Sequence, residues 1–414
     1  MFGARKTRDR GEVFARMCES PFGSVVLKNA EFFANEKYTA HAHSGRMFAN
    51  SWFPSFPGPA WDRFLAGVQR VADGGRSPLQ ADVVVTGTCH CRCWHCFRSR
   101  YSDSSDLPLE NVVRFLAAAR ELGTVCVGIT GGEPMLRPDL LDVLAAVPEG
   151  MEAQLYTTGH RLTAGFLQSA ERTRLTRCLV SLDHHDPVRA NARRGYAQAF
   201  DEALGALRLL SGSSLYTAVS LCVTEDLCQR DELMRYFEFA RGLGVDEIRA
   251  LLPIPQGNLQ GREDKALYLD AARTLRALRA ETLDQLDSPT VLLFCEYESA
   301  SCFGCGAGSN YVSLNNDGNV TPCVAIPLSF GNVKAQPFEQ IYAEMARYFR
   351  NSGRTCYGRK VGRAVRATRE SAAVLPMTPE LSLPIAERHV VDGRVGDFFR
   401  PFRASRGEGC GHAP

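Results

Sequence analysis

Four thiols stand within one short stretch, Cys89-His90-Cys91-Arg92-Cys93-Trp94-His95-Cys96. Arg and His interleave them, so packing in an apolar core does not explain the spacing. Grouped thiolates hold zinc in a closed tetrahedron or wrap an iron–sulfur cluster. The subset Cys89, Cys93 and Cys96 spans C-x-x-x-C-x-x-C. Three thiolates on a four-iron cube leave one iron open to a substrate or cosubstrate. In the zinc reading, Cys93 and Cys96 supply half a site and Cys302 and Cys305 the other half.

A second thiol group follows at Cys302-Phe303-Gly304-Cys305-Gly306-Ala307-Gly308, with Cys323 closing Asn316-Asp317-Gly318-Asn319-Val320-Thr321-Pro322-Cys323. Asp-Gly is a hairpin signal, and such a hairpin carries Cys323 back towards Cys305. Cys126, Cys178 and Cys222 fall in apolar runs and read as core residues. Glu296, Tyr297 and Glu298 stand just before the second group, where they could face a substrate.

The elements that position these residues alternate. Short β-branched runs at 83–85, 125–129, 153–156, 178–182, 216–223 and 247–252 read as strands. Helical patterns at 109–122, 138–146, 164–172, 197–210, 227–243 and 266–286 fall between and after them. Six βα steps imply a parallel sheet with helices outside it. The pattern alone fits a partial barrel or an open doubly wound sheet. A helix is also expected at 338–349. Residues 52–61 carry prolines too dense for a helix, and packing against the core is the simpler reading of that stretch.

The C-x-x-x-C-x-x-C at the end of a first strand resembles the radical S-adenosylmethionine superfamily. That resemblance implies a partial (β/α)6 barrel of the α/β class. It also implies that the open iron binds the amino and carboxylate groups of S-adenosylmethionine. One electron then cleaves the sulfonium to methionine and a 5′-deoxyadenosyl radical, which abstracts hydrogen from the substrate. Thr130-Gly131-Gly132-Glu133-Pro134 resembles the GGEP motif, which assigns Gly131, Gly132, Glu133 and Pro134 to the cosubstrate. Glycines there let backbone carbonyls approach closely. Val180-Ser181-Leu182-Asp183 with Arg193 resembles the SLDG…R segment of the peptide-modifying branch, where Ser and Arg hold the carboxylate. His184 replaces the usual Gly, and Arg194 competes with Arg193 for the role. His95 takes the position before the third cysteine, on the adenine side. Cys91 receives no ligand role.

The C-terminal group resembles the SPASM extension, or its shorter twitch form, through C-G-A-G, D-G-x-x-x-P-C and G-N-V. These extensions hold auxiliary four-iron clusters. Only Cys356 and Cys410 follow Cys323, so one auxiliary [4Fe-4S] cluster is expected, on Cys302, Cys305 and Cys323. Cys356 is the expected fourth ligand, with Cys410 or an open site in reserve. The expected organisation is an N-terminal extension (1–80), the barrel (81–290), a small hairpin-and-helix iron–sulfur domain (291–350) and a tail (351–414).

The resemblance implies an oxidising or crosslinking maturase of a peptide, served by a donor such as flavodoxin or ferredoxin. Small-molecule cofactor or antibiotic biosynthesis is the alternative. A non-catalytic zinc-binding interaction protein is the reading of another class. The winged-helix peptide-binding module common in the peptide branch is not expected in the first eighty residues.

Composition fits this picture. The chain has 414 residues, 48 Lys plus Arg against 46 Asp plus Glu, and 15 cysteines. A net charge of +2 gives no nucleic-acid footprint. The basic stretch 359–369 reads as a solvated face or tail. No run reaches the ~20 apolar residues of a membrane span. The N-terminus shows no signal-peptide pattern, so a cytoplasmic protein with reduced thiols is expected.

Overall fold

The computed structural model describes the chain except residues 1–5, 8, 42–44, 100, 102–105, 224, 263–264, 286, 370–373, 394 and 405–414. Cys410 lies outside the described residues. Ahead of the proline run come β1 (Lys6–Thr7), α1 (Arg10–Cys18), α2 (Gly23–Lys28), α3 (Ala30–Ala34), β2 (Thr39–Ala40) and β3 (Met47–Phe48). The three strands form a small antiparallel sheet. After the prolines, α4 (Pro59–Ala72) starts on Pro59, where a missing N–H costs no hydrogen bond.

The alternating region follows as β4 (Gln80–Thr86), α5 (Leu109–Leu122), β5 (Cys126–Gly131), α6 (Leu140–Ala145), β6 (Glu152–Thr157), α7 (Ala164–Ala170), β7 (Leu175–Ser181), α8 (Pro187–Arg194) and α9 (Ala199–Leu210). It continues as β8 (Tyr216–Cys222), α10 (Arg230–Gly242), β9 (Glu247–Leu251), α11 (Lys265–Thr282), β10 (Thr290–Leu293) and α12 (Phe294–Tyr297). Strands β4 to β10 lie side by side in chain order, all parallel. Their outer residues, such as Val83, Val127 and Leu155, are buried against the helices in one large core. Burial on both faces suits the near-continuous apolar runs of β4 and β8.

Next come β11 (Tyr311–Leu314), β12 (Val320–Thr321) and α13 (Phe338–Met345). β11 adds to β4 in parallel, from Tyr311 opposite Gln80 to Leu314 opposite Val83. β12 returns antiparallel through a turn at Gly318, whose φ of +94° suits glycine. The sheet therefore has nine strands, from β10 at one edge to β12 at the other, and it does not close. This is the partial barrel expected, carrying its C-terminal unit on the β4 side.

The tail is more ordered than its sequence suggests: α14 (Tyr357–Arg369), α15 (Pro379–Arg388) and α16 (Arg400–Ala404) occupy it. The basic stretch lies on α14, not in a loose segment. The amino-terminal aromatics pack against this tail. Phe303 stacks between Trp52 and Phe398, with ring centroids at 4.1 and 4.0 Å. The proline-rich stretch also plugs the N-terminal end of the barrel. Ser55 bonds Glu152, which pairs with the fully buried Arg177, and Ser51 bonds Glu247. Glu152 is ion-paired and hydrogen-bonded, and Glu247 accepts from Ser51 and Tyr216, which offsets part of the cost of burying them.

Candidate active site

The first thiol group sits on the loop after β4, at the C-terminal ends of the strands. Three neighbours hold that loop by close backbone approach. A side chain at Gly132 would meet the Thr88 carbonyl oxygen at 2.2 Å, one at Gly195 the Arg92 oxygen at 2.7 Å, and one at Gly257 the Cys96 oxygen at 2.2 Å. Backbone bonds follow the same path: Glu133 N–H to Thr88 O (2.9 Å), Arg92 N–H to Arg194 O (2.8 Å) and Asn258 N–H to Cys96 O (3.0 Å). The Asn258 amide also donates to Cys93 O at 2.9 Å. The tips of β5, α8 and the segment after β9 thus grip one loop.

The Cys91 thiol lies between its neighbours and donates to both Cys89 and Cys93. Cys93 is pushed down to about 7, first by that hydrogen bond and then by the Arg194 guanidinium, whose Nη1 is 3.7 Å from the sulfur. Cys89 is lowered chiefly by the Cys91 thiol, and Cys96 is raised by burial. Lowered thiols favour the thiolate that metals bind.

The Glu133 carboxylate is buried and accepts from Thr157 Oγ1 (2.6 Å), Thr158 N–H (2.7 Å), Thr158 Oγ1 (2.7 Å) and Met135 N–H (3.1 Å). It braces β5 against the Thr157-Thr158-Gly159 turn. Gly131 lies against Thr86 O, Gly132 follows it, and Pro134 opens a short 3₁₀ turn. Ser181 ends β7, opposite Ser220, and its hydroxyl meets no hydrogen-bond partner among the described residues. Arg193 and Arg194 part company. Arg193 pairs with Asp226 and keeps a buried Nε without a partner. Arg194 pairs with Asp183 at 2.7 Å and points at Cys93. Spacing alone had left them interchangeable. His95 packs edge-on against Trp94 and is pushed down to about 4 by burial, with Asp183, Arg194 and Arg193 around it.

The second thiol group gathers three of its four expected members. Cys305 pairs with Gly353 as an antiparallel bridge, which brings Cys356 alongside. The Cys305 thiol donates to Cys356, which falls to about 6 with further help from the Arg359 and Gly358 N–H groups at the start of α14. Cys305 is raised correspondingly, and Cys323 is raised by burial and by the negative Glu298 beside it. Cys302 does not join them. It is buried in the aromatic core with Phe303 and Phe398, and its electrostatic neighbours are Glu36, Arg279 and Glu296. A residue three positions before Cys305 points to the other side of the segment here. Glu298 takes that ground: it acts electrostatically on Cys305, Cys323 and Cys356, and burial then Cys356 push it up to about 8. Its carboxylate has no hydrogen-bond donor among the described residues.

Between the groups, alternation along the strands puts Asp82, Gly128, Tyr156 and Arg249 on the inner face of the barrel. A side chain at Gly128 would meet Asp82 at 2.0 Å and Tyr156 at 2.7 Å. Asp82 accepts from the Tyr311 hydroxyl of β11 and is raised to about 6 by burial, which that bond and Arg249 oppose. Arg249 lies over the rings of Phe294 (4.4 Å) and Tyr156 (5.4 Å). Arg98, at the end of the first loop, donates to Asn315 (2.8 Å) and Asn316 (3.0 Å) beside the hairpin turn. No single motif marks this inner layer. The period-two pattern would have placed it, had polar residues in otherwise apolar strands been read as inward-facing.

The donor sets discriminate between metals. Zn–S bonds of about 2.3 Å bring tetrahedral thiolates to about 3.8 Å of each other. Among the described residues, neither Cys89, Cys93 and Cys96 nor Cys305, Cys323 and Cys356 draws together within 4.8 Å. Neither triple is a preformed zinc tetrahedron, and all-thiol sets also hold iron–sulfur clusters.

Family models agree with this geometry. The radical SAM superfamily model matches residues 83–237, and the iron–sulfur cluster-binding SPASM model matches residues 305–359. The chain belongs to the radical SAM superfamily and carries a SPASM domain; it is an enzyme that uses iron–sulfur clusters and S-adenosylmethionine. The SPASM match begins at Cys305 and leaves Cys302 outside.

Among curated relatives, the PqqA peptide cyclase of Streptomyces rochei is 27% identical over 354 residues, 78% of this chain and 96% of that protein. The AdoMet-dependent heme synthase of Nitratidesulfovibrio vulgaris is 23% identical over 295 residues, 64% of this chain and 79% of that protein. Among solved structures, Streptococcus suis SuiB bound to its precursor peptide SuiA aligns with a TM-score of 0.55 at 15% identity, covering 80% of this chain and 81% of that one. Among the described residues, no helix is long and apolar enough to cross a membrane.

Proposed function

We propose that this enzyme modifies a peptide by radical chemistry, forming a crosslink or an oxidised side chain. The observation that carries the reading is the alignment with a peptide cyclase over 96% of that protein's length and 78% of this chain. Cys89, Cys93 and Cys96 are the ligands of the first cluster. Cys305, Cys323 and Cys356 would hold one auxiliary cluster, with the Glu298 carboxyl acting electrostatically on all three thiols.

When bound, the first cluster and S-adenosylmethionine supply a 5′-deoxyadenosyl radical that abstracts hydrogen. This chain's own residues do the rest. Gly131 and Gly132 bring backbone against the cluster loop, where carbonyl oxygens suit an ammonium group. Ser181 offers a free hydroxyl at the strand ends, and Arg193 a free Nε–H, for a carboxylate. Glu133 fixes the turn beneath them. Asp82, Tyr156 and Arg249 stand on the inner face of the barrel, and Asp82 and Arg249 act electrostatically on Glu298 beside the second thiol group.

The test is anaerobic purification and cluster loading, then dithionite and S-adenosylmethionine with and without a panel of small precursor peptides. Deoxyadenosine formation, with loss of two hydrogens from one peptide by mass spectrometry, supports the reading. Turnover of porphyrin-type or nucleotide substrates in place of peptides would overturn it in favour of small-molecule work.

A further inference from the structure

The cluster loop carries two donors that radical chemistry does not use, His90 and Cys91. His90 lies within 4.8 Å of Cys89 and Cys91 and also meets two residues from separate elements. His160 follows the Thr157-Thr158-Gly159 turn, and Glu202 lies on α9. His160 Nδ1 is 3.0 and 3.1 Å from the two Glu202 oxygens. His90 Nε2 is 3.9 Å from Glu202 Oε2 and 3.4 Å from Cys91 Sγ. The two imidazoles lie 4.0 Å apart, centroid to centroid. The donor atoms of His90, His160 and Glu202 all fall within 4.8 Å of one another.

From this geometry we infer that His90, His160 and Glu202 form a mononuclear site for a divalent first-row metal ion, zinc in the first instance. Metal bonds of about 2.0–2.2 Å to N and O require donor separations of about 3.4 Å in a tetrahedron. The observed 3.0 and 3.9 Å lie either side of that figure. Two imidazoles and one carboxylate are a recurrent ligand set for zinc and for iron(II). Cys91 stands next to the open fourth position.

Alternative explanations account for less. Hydrogen bonds explain His160 with Glu202 and His90 Nε2 with Cys91, but they do not explain why His90 is drawn to the carboxylate, 3.9 Å away, with its Nδ1 buried without a partner. The surroundings are built to hold the site. A side chain at Gly159 would meet Glu202 O at 2.9 Å, so only glycine lets this turn lie on α9. The Tyr196 hydroxyl donates to Glu202 Oε1 at 2.9 Å, the outer-shell bond that orients a ligating carboxylate. The three donor side chains are 15, 16 and 25% exposed, open enough for an ion to enter. A metal here clamps the cluster loop to the β6–α7 turn and to α9.

The experiment uses the cluster-loaded protein, whose cluster thiolates are already occupied. Wild type, His160→Ala and the isosteric Glu202→Gln are dialysed anaerobically against dilute zinc, and zinc and iron are counted per chain. We expect one zinc per wild-type chain, at least about tenfold weaker zinc binding in each variant, and the same iron in all three. One extra iron per wild-type chain, lost in both variants, supports the same site with iron as its ion. No metal beyond the cluster iron in wild type, or zinc uptake by both variants equal to wild type, overturns it. Unchanged cluster iron shows that the variants fold, and absent cluster iron in wild type would count against the cluster assignment instead.

Discussion

The first thiol group falls within eight consecutive residues on an open loop; the second gathers residues 305, 323 and 356, joined by a hairpin and a strand bridge. The loop has little structure of its own and borrows its shape from three glycines on neighbouring elements. The second site needs no such grip, because pairing and the start of α14 already fix its thiols. Local spacing therefore specifies the ligands of the first site, whereas in the second the backbone decides which nearby cysteine belongs.

The sharpest way to break this comparison is Cys93→Ala. It should abolish deoxyadenosine formation and remove about four irons per chain. Retained cleavage of S-adenosylmethionine would remove the loop from the chemistry. Cys356→Ala should strip the second cluster, stop turnover of the true substrate and leave substrate-free deoxyadenosine formation in place. Iron equal to wild type would take Cys356 out of the ligand set.

Subtler changes test the supports. Gly132→Ala forces a methyl group onto Thr88 O. Such overpacking costs roughly 1–3 kcal/mol, so the first cluster should load poorly while the second loads fully, as iron counting and electron paramagnetic resonance can show. Glu298→Gln should keep all the iron yet change the auxiliary cluster's resonance spectrum and potential; superimposable spectra would take Glu298 off that cluster. Cys302→Ala should change neither iron content nor turnover, and should lower stability by roughly 1 kcal/mol in a thermal melt. Lost iron would put Cys302 back among the ligands.

Much of the barrel was legible in the sequence, because its signals are local. The six strand runs and the helix at Leu109–Leu122 fall where periodicity puts them. β10 and β11 were not read, since four-residue strands carry too little pattern to distinguish them from loops. Cysteine spacing picked out the first thiol group, which the structure keeps on one loop. It misread Cys302, because C-x-x-C looks alike whether both thiols face one metal or one turns into an aromatic core. Glu298 was noticed only as a possible neighbour of substrate. Its pairing with three thiols depends on the fold-back at Gly353, which no local pattern announces. The helices of the tail escaped notice because α14 alternates Arg and Lys with Val and Ala, a composition that also suits a solvated segment.

The pairing of β11 with β4 bears on how this enzyme can be cut or recombined. Without residues 311–314, β4 becomes a bare edge in the middle of a strongly apolar sheet, the kind of edge that recruits other chains. Asp82 would lose the Tyr311 hydroxyl at the same time. The auxiliary domain is therefore not a detachable module. It is the last stave of the barrel, and exchanging it between relatives requires exchanging the β4 edge with it.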